Sequence, residues 1–376
     1  MQRKNVLVVA GALVLLSLAQ ACAAAGGDAG TNGGVVRTYY IAAEEVDWDY
    51  APTGADKISG RPFEGLGAIA MSPGPMSLGR VYRKAIFREY TDSTFATAKP
   101  RPPEWEHLGI LGPLLRAVVG DTFRIIFRNK GTHPYTLHPH GVIYKKDSEG
   151  APYLDGTSGA DQADDGVPPG GSHTYLWPVP ERAGPAEHEG SSVLWMYHSH
   201  ANENRDVNAG LMGPMLVTAR GKAKPDGSPV DVDRELVVMF GEFDENVSWF
   251  YEDNIKAHAP DPAKWNRMAT FADFSYLAGL RETMNGYSFG HTPPMVVKLG
   301  ERVRWYVFAT SNFEVHAPHW HGQTVVAHGM RTDMLSLLTM QMVTADMVPD
   351  NPGTWLFHCH VAPHLDAGMQ ATFRVE

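Results

Sequence analysis

The sequence predicts an all-β protein built as β-sandwiches in tandem. Three observations lead there. Stretches of alternating apolar and polar residues recur at strand length, separated by Gly, Pro and Asp turns. The 376 residues include 38 glycines and 27 prolines, a composition that divides a chain into short strands and rarely accompanies helical bundles. The second half of the chain also repeats the pattern of the first.

The chain begins MQRKNVLVVAGALVLLSLAQAC. Arg3 and Lys4 precede an apolar run from Val6 to Ala19, which is a signal-peptide pattern and short for a membrane span. Residues 1–22 are therefore read as an export leader, directing the protein to the periplasm or outer surface. Cys22 resembles the lipid-modified cysteine of bacterial lipoproteins and is the candidate anchor point, although Ala19 stands where leucine is usual. Residues 23–35, rich in Gly and Ala, read as a flexible tether.

Strand patterns follow in VVRTYYIAAEEVDWDY, LGRVYRKAIFREYTD, GDTFRIIFRNKG, SVLWMYHSH and GLMGPMLVTAR. Residues 220–234 form a polar linker, so the first domain is placed at 36–220 and the second at 221–376. Strands resume in ELVVMFGEFD. The stretch 244–276 is less regular and is expected to hold a short helix. Strands return in PPMVVKLGERVRWYVFATSN and GTWLFHCHV, and MQATFRVE closes the chain. The duplication is visible directly. VVGDTFRIIFRNKGTHPYTLHPHG parallels KLGERVRWYVFATSNFEVHAPHWHG, and VLWMYHSH with AGLMGPMLV parallels TWLFHCHV with AGMQATFRV. The net charge of -10 gives no electrostatic case for nucleic acid or an anionic membrane surface.

Ten of the 17 histidines fall in five tight places: His138 and His140; His198 and His200; His316, His319 and His321; His358 and His360; and His364. Positions i and i+2 of a strand face the same side, so each His-x-His presents two imidazoles toward one point. Four such pairs exceed one mononuclear site and suffice for a cluster. Cys359 lies between His358 and His360 and faces the other way. If Cys22 is removed or lipidated, Cys359 is the only thiol of the folded part and no internal disulfide can form. On its own face it can join His316, His364 and Met369. Two imidazoles, a thiolate and a weak thioether are a blue-copper ligand set. A structural zinc site closes at four ligands and would leave most of these residues idle.

These motifs resemble those of the multicopper oxidases, and more narrowly the bacterial two-domain laccase-like and ceruloplasmin-like members. The likeness covers nearly all of the chain after the leader. It implies cupredoxin domains, which are Greek-key β-sandwiches, and four coppers per chain. His316, Cys359, His364 and Met369 would hold the type 1 copper. His138 and His319 would hold the type 2 copper. His140, His198 and His360 would hold one type 3 copper; His200, His321 and His358 would hold the other. The first domain has Ser199 where the second has Cys359, and no histidine matching His364, so blue copper is expected in the second domain alone. In two-domain members the three-copper cluster forms between domain one of one subunit and domain two of the next, which implies a homotrimer with twelve coppers. From the residues alone, an intrachain cluster stays open.

The resemblance implies stepwise one-electron oxidation of a donor at the type 1 copper, transfer through Cys359 to His358 and His360, and reduction of dioxygen to water at the cluster. Asp155 is the leading candidate for proton supply, with Glu149 second. The donor class is phenolic, aromatic or a metal ion. Met330, Met334, Met340, Met342 and Met347 crowd the region before the last motif, where they suit either strand packing or a cuprous ion. Two competing readings are a periplasmic copper store and a copper nitrite reductase. The missing cysteine in domain one and the full set of eight cluster histidines count against the reductase.

Overall fold

The computed structural model describes residues 34–310 and 314–376. The leader, Cys22 and nearly all of the tether lie outside the described residues. No described helix is long and apolar enough to cross a membrane.

Two pairs of sheets carry the molecule, one pair from each half of the chain. In the first sheet, β1 (Val36–Asp49) lies between β2 (Val81–Tyr90) and β4 (Thr122–Asn129), and β6 (Ser172–Pro178) flanks β4. The sheet facing it has the order β3 (Leu115–Val118), β8 (Met212–Thr218), β7 (Ser192–His198), β5 (His138–Pro139). The second half repeats both arrangements. β10 (Leu280–Met284), β9 (Arg234–Asp244), β12 (Val303–Thr310) and β16 (Met342–Met347) lie in order, with β14 (Val325–Ala327) and β15 (Met330–Thr332) added at the edge. β11 (Met295–Val297), β18 (Gln370–Val375), β17 (Gly353–Cys359) and β13 (Pro318–Trp320) form the last sheet. The duplication reaches pairing direction. β1 is antiparallel to β2 and parallel to β4, as β9 is antiparallel to β10 and parallel to β12.

Each half has its own core. Phe87, Phe123, Phe127, Tyr175 and Trp177 fill the first, and Trp305, Trp320, Phe357 and Phe373 fill the second. A third cluster joins the halves, with Tyr50, Tyr82 and Met196 against Met239, Phe243 and Tyr306. Within that seam Lys84, fully buried, meets Glu245 at 2.5 Å, and Tyr50 donates to the same carboxylate oxygen. Removing one member of such a buried pair typically costs about 3–5 kcal/mol, because the other charge is left uncompensated.

The molecule is predominantly β but departs from the all-β expectation. Five short α-helices are present among the described residues: α1 (Gly65–Met71), α2 (Glu203–Ala209), α3 (Tyr251–His258), α4 (Phe274–Leu277) and α5 (Ala362–Asp366), with four 3₁₀ turns. α3 falls in the irregular stretch where a helix was expected. α2 and α5 are counterparts. Each follows a His-x-His and ends against a glycine with positive φ, Gly210 at 115° and Gly368 one residue beyond the cap at 101°. Glycine suits that left-handed position because it has no Cβ to clash.

The seam has a measurable acid sensitivity. His107, in the 3₁₀ turn Pro103–Leu108, is buried, and its Nε2 accepts the Val237 N–H at 3.2 Å. Burial pushes its pKa down to about 4. In the unfolded chain a histidine titrates near 6.5, so between these values the unfolded state binds more protons. The stabilisation is therefore complete above about pH 6.5 and is lost as pH falls through about 4. The shift corresponds to roughly 3 kcal/mol. Urea unfolding of the metal-free protein at pH 7 and pH 4 should show that loss, and His107→Gln should show a smaller one. Equal losses in the two proteins would remove His107 as the source.

Candidate metal centres

The eight paired histidines form two sets of four, one at the same place in each half. In the first, β5 and β7 pair so that His138 lies opposite His198. In the second, β13 and β17 pair so that His319 lies opposite His358. His140 and His200, and His321 and His360, follow two residues on and return to the same side. Ring centroids within the first set are 5.1–5.6 Å apart for the five pairs in contact. In the second set they are 4.8–5.5 Å apart. Among the described residues no ring contact or metal-competent group joins a first-half histidine to a second-half one, so the chain presents two half-sites.

The glycine that ends each motif has a physical reason. Gly141 and Gly322 have φ of 79° and 65°. A Cβ on Gly141 would lie 2.3 Å from the Trp195 ring, and one on Gly322 would lie 2.6 Å from the Trp355 ring. A side chain at either position would force the tryptophan ring or the turn beside the histidine pair to shift.

Each half-site is oriented for a cation. The Nδ1 atoms of His138, His198, His319 and His358 lie 2.7–3.1 Å from the backbone oxygens of Glu149, Ser199, Asp333 and Cys359. A carbonyl can only accept, so in each ring Nδ1 carries the proton and Nε2 offers its lone pair. His140 and His198 then bring Nε2 to Nε2 at 3.1 Å, and His321 and His358 do so at 3.0 Å. Two nitrogens that close, flanked by further imidazoles, fit a shared metal ion. Protonation is discouraged: burial holds His140 down to about 4, and it lowers His138, His198, His321 and His358 as well.

On the opposite face of β17 lies the thiol. Cys359 is fully buried, with His316, His364 and Met369 buried around it. Cys359 Sγ is 3.5 Å from His364 Nδ1 and 3.9 Å from His316 Nδ1. Two metal–ligand bonds of about 2.0–2.3 Å meeting near the tetrahedral angle span about 3.5 Å, so the three atoms can bracket one ion. The Ala317 N–H points at the sulfur from 3.3 Å. The Cys359 N–H donates to the Met369 carbonyl at 3.1 Å, which keeps the thioether-bearing residue alongside. Without metal the site favours its neutral forms: burial lowers His316 to about 3 and raises the thiol.

Asp155 and Glu149 share one lysine. Lys146 Nζ reaches Asp155 at 2.8 Å and Glu149 at 2.5 Å. The Lys146 ammonium holds the Asp155 carboxyl well below the usual carboxylate range. Glu149 also touches the first half-site, through the carbonyl that accepts from His138. Of the five methionines, Met347 is buried, whereas Met330 and Met334 are exposed.

An acidic pair absent from the sequence reading adjoins the thiol site. β9 and β10 pair Glu242 opposite Glu282, and Glu282 Oε2 lies 4.0 Å from His364 Nδ1. Burial, then the Glu242 charge, raises Glu282 well above the usual carboxylate range. Glu242 and Asp244 line a cleft of about 390 Å³ with Glu203, Tyr276 and Met340. The pairing depends on a register between strands separated by the irregular stretch, which residue spacing does not disclose.

Two models of multicopper oxidase domains match the chain, at residues 108–222 and 254–376. The chain belongs to the multicopper oxidase family. Among curated members of that family, it is 42% identical over 351 residues to the ferroxidase HEPHL1 of Mus musculus, covering 92% of this chain and 30% of the relative. It is 39% identical to hephaestin of Rattus norvegicus, again over 30% of that protein, and 38% identical to human (Homo sapiens) ceruloplasmin over 31% of it. The chain thus spans about a third of the length of the curated relatives it matches. Solved multicopper oxidases share its fold. One matches with a TM-score of 0.58 at 21% identity, covering 92% of this chain and 91% of the other. The blue copper oxidase from Nitrosomonas europaea gives 0.56 at 20% identity, covering 90% and 86%.

Proposed function

We propose that this family member is an exported enzyme that couples one-electron oxidation of a donor to reduction of dioxygen to water, built from two cupredoxin domains at 36–220 and 221–376. One observation carries the reading: β17 places a buried thiol site on one face and a histidine half-site on the other, a single residue apart. When bound, copper supplies one-electron redox chemistry at the thiol site and four-electron delivery to dioxygen at the histidine cluster. In this reading His316, Cys359, His364 and Met369 hold type 1 copper, and His138 and His319 hold type 2 copper. One type 3 copper falls to His140, His198 and His360, the other to His200, His321 and His358. The half-sites support that division, since the two close pairs, His140 with His198 and His321 with His358, belong to different type 3 sets. Each half lacks what the other supplies, and one subunit's first half meeting the next subunit's second half closes a homotrimer.

The chain's own contribution is to bind, orient and exclude water. Backbone carbonyls fix the tautomers of His138, His198, His319 and His358, burial keeps His138, His140, His198, His321 and His358 neutral and available, and the protein around Cys359 excludes solvent. Asp155, ionised beside Lys146, is proposed to pass protons toward the cluster, with Glu149 as its neighbour at His138. The Glu242–Glu282 pair behind His364 supports a metal-ion donor, in keeping with the ferroxidase name one relative carries; phenols are the competing class. Cys22 is proposed as the anchor point if the leader is processed as in lipoproteins.

Oxygen uptake by the copper-loaded protein, with copper counted per chain, tests this. Ferrous ion should drive uptake faster than a phenol, with about four coppers per chain. Asp155→Asn should slow uptake by about 10-fold or more. Bound copper with no uptake from either donor would indicate a copper store, and nitric oxide from nitrite without oxygen would indicate a reductase.

A further inference from the structure

The first half carries a counterpart of the thiol site with no thiol in it. Asp206 precedes Leu211 by five positions, as His364 precedes Met369, and Tyr135 precedes His138 by three, as His316 precedes His319. The backbone bonds match as well. The Leu211 N–H donates to the Asp206 carbonyl at 3.1 Å, and the Met369 N–H donates to the His364 carbonyl at 2.9 Å. The Ser199 N–H donates to the Leu211 carbonyl at 2.9 Å, as the Cys359 N–H donates to that of Met369. Ser199 Oγ accepts the Thr136 N–H at 3.0 Å, as Cys359 Sγ accepts that of Ala317. Tyr135, Ser199, Asp206 and Leu211 therefore stand where the second half has His316, Cys359, His364 and Met369.

This quartet is no soft-metal site, since it offers a phenol, a hydroxyl, a carboxylate and a hydrocarbon. Its carboxylate is already committed. Asp206 is fully buried, and its Oδ2 accepts from Ser199 Oγ at 2.7 Å and from the Asn202 N–H at 2.9 Å. Its Oδ1 accepts from Trp249 Nε1 at 2.7 Å, reaching into the second half of the chain. The network continues to the ligands. Thr136, whose N–H bonds Ser199, accepts the His200 N–H on its Oγ1 at 2.9 Å and donates to the Gly150 carbonyl at 2.6 Å. Ser199 is itself the residue between His198 and His200.

We propose that Asp206 is a positioning residue for the first half-site: its carboxylate, acting through Ser199 and Thr136, holds His198 and His200 as the thiol site holds His358 and His360 in the other half. The hydrogen-bonded carboxylate takes over the bracing role of a metal ion that this half does not bind. The proposal rests on the copper-cluster reading, and it adds a residue that touches neither metal nor oxygen.

Asp206→Asn and the pair Asp206→Asn with Trp249→Phe test it. The asparagine oxygen can still accept from Ser199 and Asn202, but its amide then faces the Trp249 N–H, donor against donor. Phenylalanine at 249 removes that conflict. In copper titrations of the full-length metal-free protein, Asp206→Asn should weaken cluster binding by about 10- to 100-fold. Blue absorption at the Cys359 site should stay at the wild-type level, and the double variant should recover most of the lost affinity. Wild-type cluster affinity in Asp206→Asn overturns the proposal. So does a loss that the second change fails to recover, which marks a merely structural role. Should wild-type protein take up no cluster copper, the cluster reading fails instead. Ring-nitrogen NMR of His198 and His200 in the metal-free protein then decides the positioning role. Movement in Asp206→Asn that reverses in the double variant sustains it, and unmoved signals end it.

Discussion

Cys359→Ser is expected to abolish the blue colour and cut donor-driven oxygen uptake by more than about 100-fold, beyond the usual cost of losing a group that only orients a ligand. The protein should still fold. Serine already occupies the equivalent position in the first half, where Ser199 Oγ accepts the Thr136 N–H at 3.0 Å, so the Ala317 N–H has a ready acceptor in the variant. What serine cannot provide is a soft, ionisable ligand. Its hydroxyl stays protonated where a thiol can give up its proton to a metal, and the thiolate is the donor that makes a copper site blue. His319, His321, His358 and His360 are on the other face and keep their geometry, so cluster copper should be retained. Copper per chain and visible absorption, measured on the same preparation, check this. Blue absorption persisting in Cys359→Ser would remove Cys359 from the type 1 site and with it the electron route into β17.

The sequence disclosed what alternation and local spacing can encode. Strands such as β4, β6 and β18 alternate buried with less buried positions, and the His-x-His motifs fix which imidazoles share a face without any tertiary information. α2 and α5 were missed because they run for seven and five residues, too short for a helical period to show. Glu242 and Glu282 were missed for a different reason: only the β9–β10 register brings them together beside His364. Asp206 was within reach of the sequence. Its distance from Leu211 equals that of His364 from Met369, but a search for a second histidine passes over a carboxylate. The separation of the eight histidines into two sets of four was implied only by the resemblance to two-domain family members, because nothing in the spacing within each motif says how the two halves of the chain face each other.

That separation yields the second large effect. The variants His198→Ala/His200→Ala and His321→Ala/His358→Ala are each expected to be inactive when made alone and to regain activity when co-expressed. In the first, every first half-site is broken and every second half-site is whole; in the other, the reverse holds. If the cluster closes between neighbouring subunits of a ring, some contacts pair two whole half-sites. With equal amounts and random assembly, roughly a quarter of the contacts do so, and oxygen uptake should return to about that fraction of wild type. A cluster closed within one chain has no such rescue, since every chain carries one broken set. The geometry favours rescue: the close Nε2 pairs lie within each half, at 3.1 Å and 3.0 Å, and among the described residues no ring contact or metal-competent group joins a histidine of one set to a histidine of the other. Each half-site also opens onto its own concavity, one lined by His138, His140 and Arg182 and the other by His319, His321 and Trp355. Mixed particles of normal size and copper uptake but no activity would place the cluster inside the chain and would require the two halves to close on each other when metal binds.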